Sequence, residues 1–171
     1  MKIIGGHWKK RNIFFSDNDG LRPTLGRVRE TLFNWLNQDL SGRVCLDLYA
    51  GSGALGFEAL SRNAHTVYMI EKNQNVFQQL ISSKDQLKAD NAIIIHASAK
   101  EFINRNEIFF DVIFFDAPFK DEEQLLLLLS LKQYLTPNGH IYFESDKKFE
   151  LEDFKIIKSS RAGKVYFYLL Q

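Results

Sequence analysis

Short apolar runs rich in β-forming residues alternate with helical patterns after residue 43. Strands are predicted at 44–49, 66–70, 92–96, 111–115 and 140–143, and helices at 54–62, 75–88, 99–105 and 122–134. Such alternation, with strands that are apolar along their length, is typical of a parallel sheet covered by helices on both faces. Two final runs, at 154–158 and 164–170, have no helix between them, so we expect an antiparallel pair. The sequence therefore predicts a seven-stranded, mostly parallel α/β sheet with an antiparallel C-terminal strand.

The N-terminal quarter of the chain departs from this alternation. It begins with a glycine pair, Gly5-Gly6, and a basic cluster, which predict either a hairpin or an extended arm. Residues 24–38 then have the apolar spacing of a helix. Because a helix of this length needs a packing partner, we predict that 1–43 form a basic arm and helix packed on a main domain at 44–171.

The composition of the 171-residue chain is that of a globular protein, with 45% hydrophobic and 25% charged residues. This excludes a disordered or low-complexity chain. A single cysteine, Cys45, excludes an intrachain disulfide, and the leucine run at 125–129 is far too short to span a bilayer. The four histidines have no metal-ligand spacing. We therefore expect a cytoplasmic protein with no membrane contact and no metal.

A G-x-G-x-x-G pattern, formed by Gly51, Gly53 and Gly56, connects the first predicted strand to the first helix after it. Glycines at such a turn let the backbone approach a ligand closely. Glu71 closes the second predicted strand, twenty residues after Gly51. A carboxylate there can accept hydrogen bonds from both ribose hydroxyls of an adenosine cofactor. Loop and acid together predict an adenosine-containing cofactor.

An acidic residue inside the first predicted strand, Asp47, narrows the kind of cofactor. It lies four residues before Gly51, close to where the pyrophosphate of a nicotinamide dinucleotide would rest on the helix N-terminus. A carboxylate would repel that pyrophosphate. S-adenosylmethionine has no phosphate and carries an ammonium and a sulfonium, so the sequence favours it. A nicotinamide-dependent oxidoreductase stays an alternative.

The fourth predicted strand ends in Asp116-Ala117-Pro118-Phe119. In a parallel sheet this end faces the ligand crevice. Asp116 and the Ala117 carbonyl can accept hydrogen bonds from an exocyclic amine, and Phe119 can stack on a planar base. Two acceptors on the amine would free its lone pair for in-line attack on a methyl group. The segment therefore predicts methylation of a base by positioning and electrostatics.

Together these residues resemble the class I S-adenosylmethionine-dependent methyltransferases, which have a Rossmann-like fold. The 116–119 segment is similar to the [Asp/Asn]-Pro-Pro-[aromatic] motif of amino-group methylators. The N-terminal part narrows the resemblance to the RsmD family, and the likeness covers nearly the whole chain. The segments that carry it are Ile3-Ile4-Gly5-Gly6, Leu21-Arg22-Pro23-Thr24, the helix at 27–36, the loop at 50–56 and Glu58-Ala59-Leu60-Ser61-Arg62.

The resemblance implies methyl transfer from S-adenosylmethionine to the exocyclic N2 of a guanine in 16S ribosomal RNA. It also implies a small ribosomal subunit or an assembly intermediate as the substrate particle, with no obligate protein partner. By family position the cofactor contacts would be Asp47, Gly51, Gly53, Glu71, Ser98 and Ala99, with Arg22, Pro23 and Thr24 closing over the cofactor. The catalytic residues that hold the base would be Asp116, Ala117, Pro118 and Phe119.

Three positions depart from the family pattern. Ala117 replaces the first proline of the motif, which leaves the turn less stiff. Gly26 stands where the family usually has aspartate, and the stretch before Ser98 lacks the acid often found near the adenine amine. The alternatives are an amino methyltransferase for DNA adenine or protein glutamine, the nicotinamide-dependent oxidoreductase and a non-catalytic RNA-binding module. The aspartate at 116 and the N-terminal segments argue against the first of these.

The net charge of +1 hides an uneven distribution. Residues 1–43 contain eight lysines and arginines against four acids, and the rest of the chain contains 14 against 17. Near neutrality therefore does not exclude an RNA substrate. We expect RNA contact at the N-terminal end, beside the crevice. The candidate residues are Lys9, Lys10, Arg11 and Arg27.

Overall fold

The computed structural model describes residues 1–14, 26–117, 122–149 and 151–171. Its strands are β1 (Val44–Asp47), β2 (Thr66–Glu71), β3 (Ala92–His96), β4 (Phe110–Phe115), β5 (Leu135–Ser145), β6 (Ile156–Ala162) and β7 (Val165–Leu170). Its helices are α1 (Gly26–Trp35), α2 (Ala54–Ser61), α3 (Gln74–Leu87), α4 (Ala99–Ile103) and α5 (Glu122–Ser130), and a 3-10 turn, Leu131–Tyr134, follows α5. No helix of this described part is long and apolar enough to cross a lipid bilayer.

The seven strands form one sheet in the order β3-β2-β1-β4-β5-β7-β6. β1 to β5 run parallel to one another, and β7 runs antiparallel to β5 and β6, the strands on either side of it. This confirms the predicted mostly parallel sheet with an antiparallel C-terminal strand. The strand order reverses at β1, between β2 and β4, which is where open α/β sheets bind ligands.

Side chains alternate between the two faces of the sheet because successive residues of a strand point in opposite directions. One face packs against α1, α2 and α3, and its buried strand residues include Cys45, Val67, Met69, Val112 and Phe114. The other packs against α4 and α5, and its buried residues include Leu46, Ile70, Ile113, Phe115 and Ile141. Burial on both faces explains why the strands are apolar along their length.

β5 begins earlier than predicted, at Leu135. The predicted turn, 137–139, lies within this strand, in a bulge where the pairing of Phe110 with Leu135 changes to that of Val112 with His140. Proline and glycine at these positions mark an interruption of the ladder, which is where strands tolerate such residues. The predicted turn was therefore wrong, because these residues form an irregularity within one continuous strand.

The N-terminal arm is a hairpin packed on the side of the sheet that carries α1, α2 and α3. The amide of Ile3 donates to the carbonyl of Arg11 at 3.0 Å, and that of Ile13 donates to Met1 at 2.8 Å. Ile3 and Ile13 are buried in the same core as α1. The predicted packing of α1 on the main sheet is also present, since the Phe33 ring lies 6.0 Å from that of Phe114.

Candidate active site

Three carboxylates meet at the carboxyl ends of three adjacent strands. Asp47 ends β1, Glu71 ends β2 and Asp116 directly follows β4. Asp47 is in register with Met69 and Phe114, so the other two acids lie one pleat, roughly 7 Å, further along the strands. The sheet thus brings together the predicted acids of the cofactor and base sites at its switch point.

The glycine loop turns from β1 into α2 in a conformation that a larger residue would strain. Gly51 and Gly53 have φ values of 50° and 75°. A Cβ at Gly53 would also lie 2.6 Å from the Phe57 ring and 2.7 Å from the Leu80 side chain. Close packing of helix on loop therefore requires glycine here, and it leaves the loop backbone able to approach a ligand.

Glu71 is held against this loop by the backbone. Its Oε2 accepts a hydrogen bond from the Gly51 amide at 3.0 Å, and its Oε1 accepts one from the Asn73 amide at 2.7 Å. Each carboxylate oxygen can accept a second hydrogen bond. The arrangement fixes the carboxylate and leaves acceptor capacity for the two hydroxyls of a ribose.

Asp47 is buried beneath the loop, with 3% of its surface exposed. Its Oδ2 accepts a hydrogen bond from the Gly56 amide at 2.9 Å, so it also anchors the start of α2. Burial first, and then the charges of Asp116 and Glu71, raise the pKa of Asp47 to about 7 against the lowering effect of that hydrogen bond. The group therefore changes charge near neutral pH.

Asp47→Asn tests the charge of this group, because asparagine can keep the Gly56 hydrogen bond. We expect S-adenosylmethionine affinity of the wild type to rise as pH increases through about 7, as the carboxylate ionises. Above that range the variant should bind about 10–100-fold more weakly, the typical effect of losing one charged hydrogen bond. Titration calorimetry between pH 5.5 and 8.5 measures both curves, and parallel pH dependence in the two proteins would contradict this role.

The same pKa has a consequence for stability. Because the folded-state pKa of Asp47 is raised, the folded protein holds a proton that the unfolded chain releases near pH 4. Stability of the cofactor-free wild type should therefore fall as pH rises from about 4 to about 7, and Asp47→Asn should lack this contribution.

Ser98 and Ala99 begin α4 next to the end of β3. The Ser98 hydroxyl donates to Oε2 of Glu101 at 2.7 Å and accepts from the Glu101 amide at 3.2 Å, which completes a capping box. The hydroxyl proton is thus committed to the helix cap. One hydroxyl lone pair and the backbone of these two residues stay able to contact an adenine ring.

Asp116 and Ala117 are the described part of the predicted base-holding segment. Asp116 is half-buried, and Ala117 is buried in the core on the α4 and α5 face. Pro118 and Phe119 lie outside the described residues, as do Arg22, Pro23 and Thr24. Their predicted roles in base stacking and cofactor closure stay predictions.

Sequence reasoning did not assign a buried pair on the neighbouring strand. The Tyr142 hydroxyl donates a hydrogen bond to Oε1 of Glu144, and both side chains are buried in β5. Burial raises the pKa of Tyr142 well above its usual range, and the charges of Glu144 and Asp116 add to this. The pair therefore lies near Asp116 and extends the acidic end of the crevice. A single acid at the end of an apolar strand was the available signal.

Comparison with known proteins agrees with this geometry. A family model described as conserved hypothetical protein 95 matches residues 1–171. Ribosomal RNA small subunit methyltransferase D of Haemophilus influenzae is 40% identical over 180 residues, which cover 100% of this chain and 93% of the relative. The protein of the same name from Escherichia coli K12 is 40% identical over 177 residues, covering 100% and 89%.

The chain belongs to the RsmD family.

Solved structures similar to this RsmD family member share its whole fold. The structure of yhhF from Escherichia coli has a TM-score of 0.90 and 38% identity, and covers 100% of this chain and 97% of that one. A Haemophilus influenzae protein has a TM-score of 0.82 and 36% identity, covering 99% and 97%. The predicted Rossmann-like class I methyltransferase fold is therefore confirmed.

The lysines and arginine at 9–11 of this RsmD family member, which we call the basic turn, do not lie beside the crevice, where we expected them. The amides of His7 and Trp8 donate to the carbonyl and hydroxyl of Ser61 at 2.8 and 2.9 Å. Ser61 ends α2, which leads away from the crevice, so the turn lies at the amino-end edge of the sheet. Sequence reasoning placed it wrongly because no local signal shows which helix end the arm contacts.

The four predicted RNA contacts therefore lie in two places. Lys9, Lys10 and Arg11 are exposed, and Arg11 Nη2 also donates to the Gln86 carbonyl at 2.6 Å, which ties the arm to α3. Arg27 is exposed in the first turn of α1. The other end of that helix leads to the amino-end edge, where the Leu40 amide donates to the Arg62 carbonyl.

Proposed function

We propose that the protein transfers a methyl group from S-adenosylmethionine to the exocyclic N2 of a guanine in 16S ribosomal RNA. The observation that carries the proposal is the meeting of Asp47, Glu71 and Asp116 at the switch point of a class I methyltransferase sheet. Membership of the RsmD family, with relatives named ribosomal RNA small subunit methyltransferase D, supports the RNA substrate.

The cofactor half of the site is formed by the first two acids and the loop between them. Glu71, fixed by two backbone amides, accepts hydrogen bonds from the two ribose hydroxyls. Asp47, when ionised, attracts the positive charge of the cofactor from below the loop. When bound there, S-adenosylmethionine supplies an electrophilic methyl group on a sulfonium. Gly51 and Gly53 let the loop backbone lie against it, and Ser98 and Ala99 lie where the adenine ring is expected.

The base half of the site uses Asp116 and the Ala117 carbonyl. The N2 amine of guanine is a poor nucleophile because its lone pair is delocalised into the ring. Two acceptors that hold its hydrogens favour the geometry in which this lone pair points at the methyl group. The Asp116 carboxylate also stabilises the positive charge that develops on N2 during attack. As the new carbon–nitrogen bond forms, the carbon–sulfur bond breaks with its electron pair left on sulfur, and N2 then loses a proton to Asp116 or to water. The target base must leave its stack to reach this pocket.

Methyl incorporation tests the proposal directly. Protein and S-adenosylmethionine labelled in the methyl group are incubated with small ribosomal subunits, or with precursors of them, from a strain that lacks the modification. We expect label in 16S ribosomal RNA, and none in parallel incubations with large ribosomal subunits, which contain 23S ribosomal RNA, with DNA or with protein. Label in DNA or in protein glutamine would contradict the proposed RNA substrate. No label in any acceptor would contradict the proposed activity and favour the non-catalytic RNA-binding module.

We also propose that the arm contacts RNA phosphates. Lys9→Ala with Lys10→Ala should weaken RNA binding and reduce the slope of log affinity against log salt by about 1.4–1.8, since each phosphate contact contributes about 0.7–0.9. Arg11 is left in place because it also holds the arm to Gln86.

The matched control changes Lys155 and Lys158, two exposed lysines at the start of the edge strand β6, and removes the same charge. Filter binding between 50 and 200 mM salt compares the three proteins. An equal slope in all three would exclude the arm as an RNA contact.

A further inference from the structure

A fully buried carboxylate in α2, Glu58, plays no part in the proposed cofactor or base sites. Its Oε2 accepts a hydrogen bond from the Ile4 amide at 2.9 Å and lies 3.8 Å from Arg29 Nη1. Its Oε1 accepts hydrogen bonds from Arg62 Nε and Nη2 at 3.1 and 3.0 Å. A single side chain therefore joins the arm, α1 and α2.

Both arginines extend this junction. The guanidinium of Arg29 donates through both terminal nitrogens to the Lys2 carbonyl, at 3.2 Å each. The guanidinium of Arg62 lies 4.7 Å from the centre of the Phe33 ring and donates to the side chain of Gln38. The groups of Lys2 and Ile4 that take part are backbone groups. The junction therefore holds the backbone of the arm and does not depend on the side chains at these two positions.

The end of α2 holds the next part of the arm in the same way. The Ser61 hydroxyl donates to the Gly5 carbonyl at 2.6 Å and accepts from the Trp8 amide at 2.9 Å. The Ser61 carbonyl accepts from the His7 amide at 2.8 Å. These residues lie immediately before Lys9 and Lys10, so their contacts determine where the basic turn begins.

The glycine pair makes this close approach possible. Gly6 has a φ of 71°, and a Cβ there would lie 1.8 Å from the Ser61 carbonyl oxygen. A Cβ at Gly5 would lie 2.1 Å from Arg62 Nη2. Any side chain at Gly6 would therefore push the arm away from backbone that cannot yield.

Buried ion pairs are a weak source of stability, because apolar residues of similar size often serve as well. A role in fixing one arrangement accounts better for a buried carboxylate that accepts from the Ile4 amide and holds two guanidiniums, one of which donates to the Lys2 carbonyl. We propose that Glu58, Ser61 and Arg62, the arm clamp, are positioning residues that hold the basic turn in place for RNA. This rests on the proposed RNA contact of the arm.

A held arm has lost its backbone freedom before RNA arrives, whereas a free arm would lose it on binding. Loss of the clamp should therefore weaken RNA binding without affecting the cofactor loop at the other end of α2. A merely structural role would instead lower stability, cofactor affinity and RNA affinity together.

The test compares Gly6→Ala with Gly163→Ala. Both place a Cβ at positive φ, 71° and 60°, but only the first meets an atom within 4 Å. We expect Gly6→Ala to raise the RNA dissociation constant and RNA KM about 10–100-fold. Its S-adenosylmethionine affinity and its kcat at saturating RNA should stay within about twofold, while hydrogen exchange in residues 1–14 accelerates. Gly163→Ala should match the wild type in every measurement.

Ser61→Ala gives a second, milder test that keeps a good helix former at the end of α2. It removes one hydroxyl from the clamp and should raise RNA KM in the same direction, with hydrogen exchange accelerated in the arm. This variant carries the test if Gly6→Ala does not fold.

The outcomes separate the clamp from the RNA contact itself. Faster exchange in the arm with unchanged RNA affinity, or an equal loss of cofactor and RNA affinity, would overturn the clamp. If removal of Lys9 and Lys10 weakens RNA binding but release of the arm does not, the arm contact stands and the clamp fails. If removal of the lysines has no effect, the proposed arm contact fails first.

Discussion

Asp116→Ala should reduce methyl transfer by about 10²–10³-fold, the typical effect of removing a preorganised group that stabilises charge in a transition state. Affinity for S-adenosylmethionine should stay within about threefold, because the variant leaves the loop and Glu71 unchanged. Single-turnover assays with labelled cofactor measure transfer, and titration calorimetry measures binding.

This variant has a second readout. The charge of Asp116 raises the pKa of Asp47, so its removal should move the pH midpoint of cofactor binding downward. Asp90→Ala, at an exposed acid in the turn between α3 and β3, is the control and should change neither value. If transfer and cofactor binding fell by the same factor, the division between a base half and a cofactor half of the site would be wrong.

Glu71→Ala should have the opposite effect: it should weaken cofactor binding and leave the transfer step nearly unchanged. The variant loses the proposed acceptor for two ribose hydroxyls and leaves the Gly51 and Asn73 amides without this partner. Hydrogen bonds to charged groups contribute about 1.5–3 kcal/mol each, so we expect affinity for S-adenosylmethionine to fall about 10²–10⁴-fold. At saturating cofactor, kcat should stay within about tenfold, because Asp116 and Ala117 are unchanged.

Titration calorimetry and the dependence of rate on cofactor concentration measure both effects. Glu152→Ala, at an exposed acid remote in sequence from the loop, serves as the control. Unchanged cofactor affinity in Glu71→Ala would contradict the ribose contact. Thermal stabilisation of the wild type by NAD but not by S-adenosylmethionine would contradict the assignment of S-adenosylmethionine as the cofactor.

The sheet could be predicted because its signals are local. Apolar runs such as β4 and the helices between them repeat along the chain, and the geometry of parallel strands then places Asp47, Glu71 and Asp116 at one edge. The closeness of Gly51 and Glu71 could be predicted from their spacing in the same way, and the structure joins them by a hydrogen bond; their contact with a cofactor stays a prediction. The capping box of Ser98 and Glu101 also had a local signal, since serine followed three residues later by glutamate is typical of one, but it was not used.

Features that depend on contacts between distant segments could not be predicted. The Gly5-Gly6 pair indicated a close approach, but nothing near it in sequence identified Ser61 as the neighbour. For this reason the predicted position of the basic turn, beside the crevice, was wrong. Tyr142 likewise belongs to an apolar strand, and only the register of β4 with β5 brings it near Asp116.

Mass-spectrometric mapping of modified guanines in small-subunit ribosomal RNA tests the central claim most directly. RNA is compared from cells with the wild-type protein, with Asp116→Ala and with none. The account predicts one N2-methylguanosine that is present with the wild type and absent in the other two. An identical set of modified guanines in all three, or a methyl group on another atom or base, would contradict it.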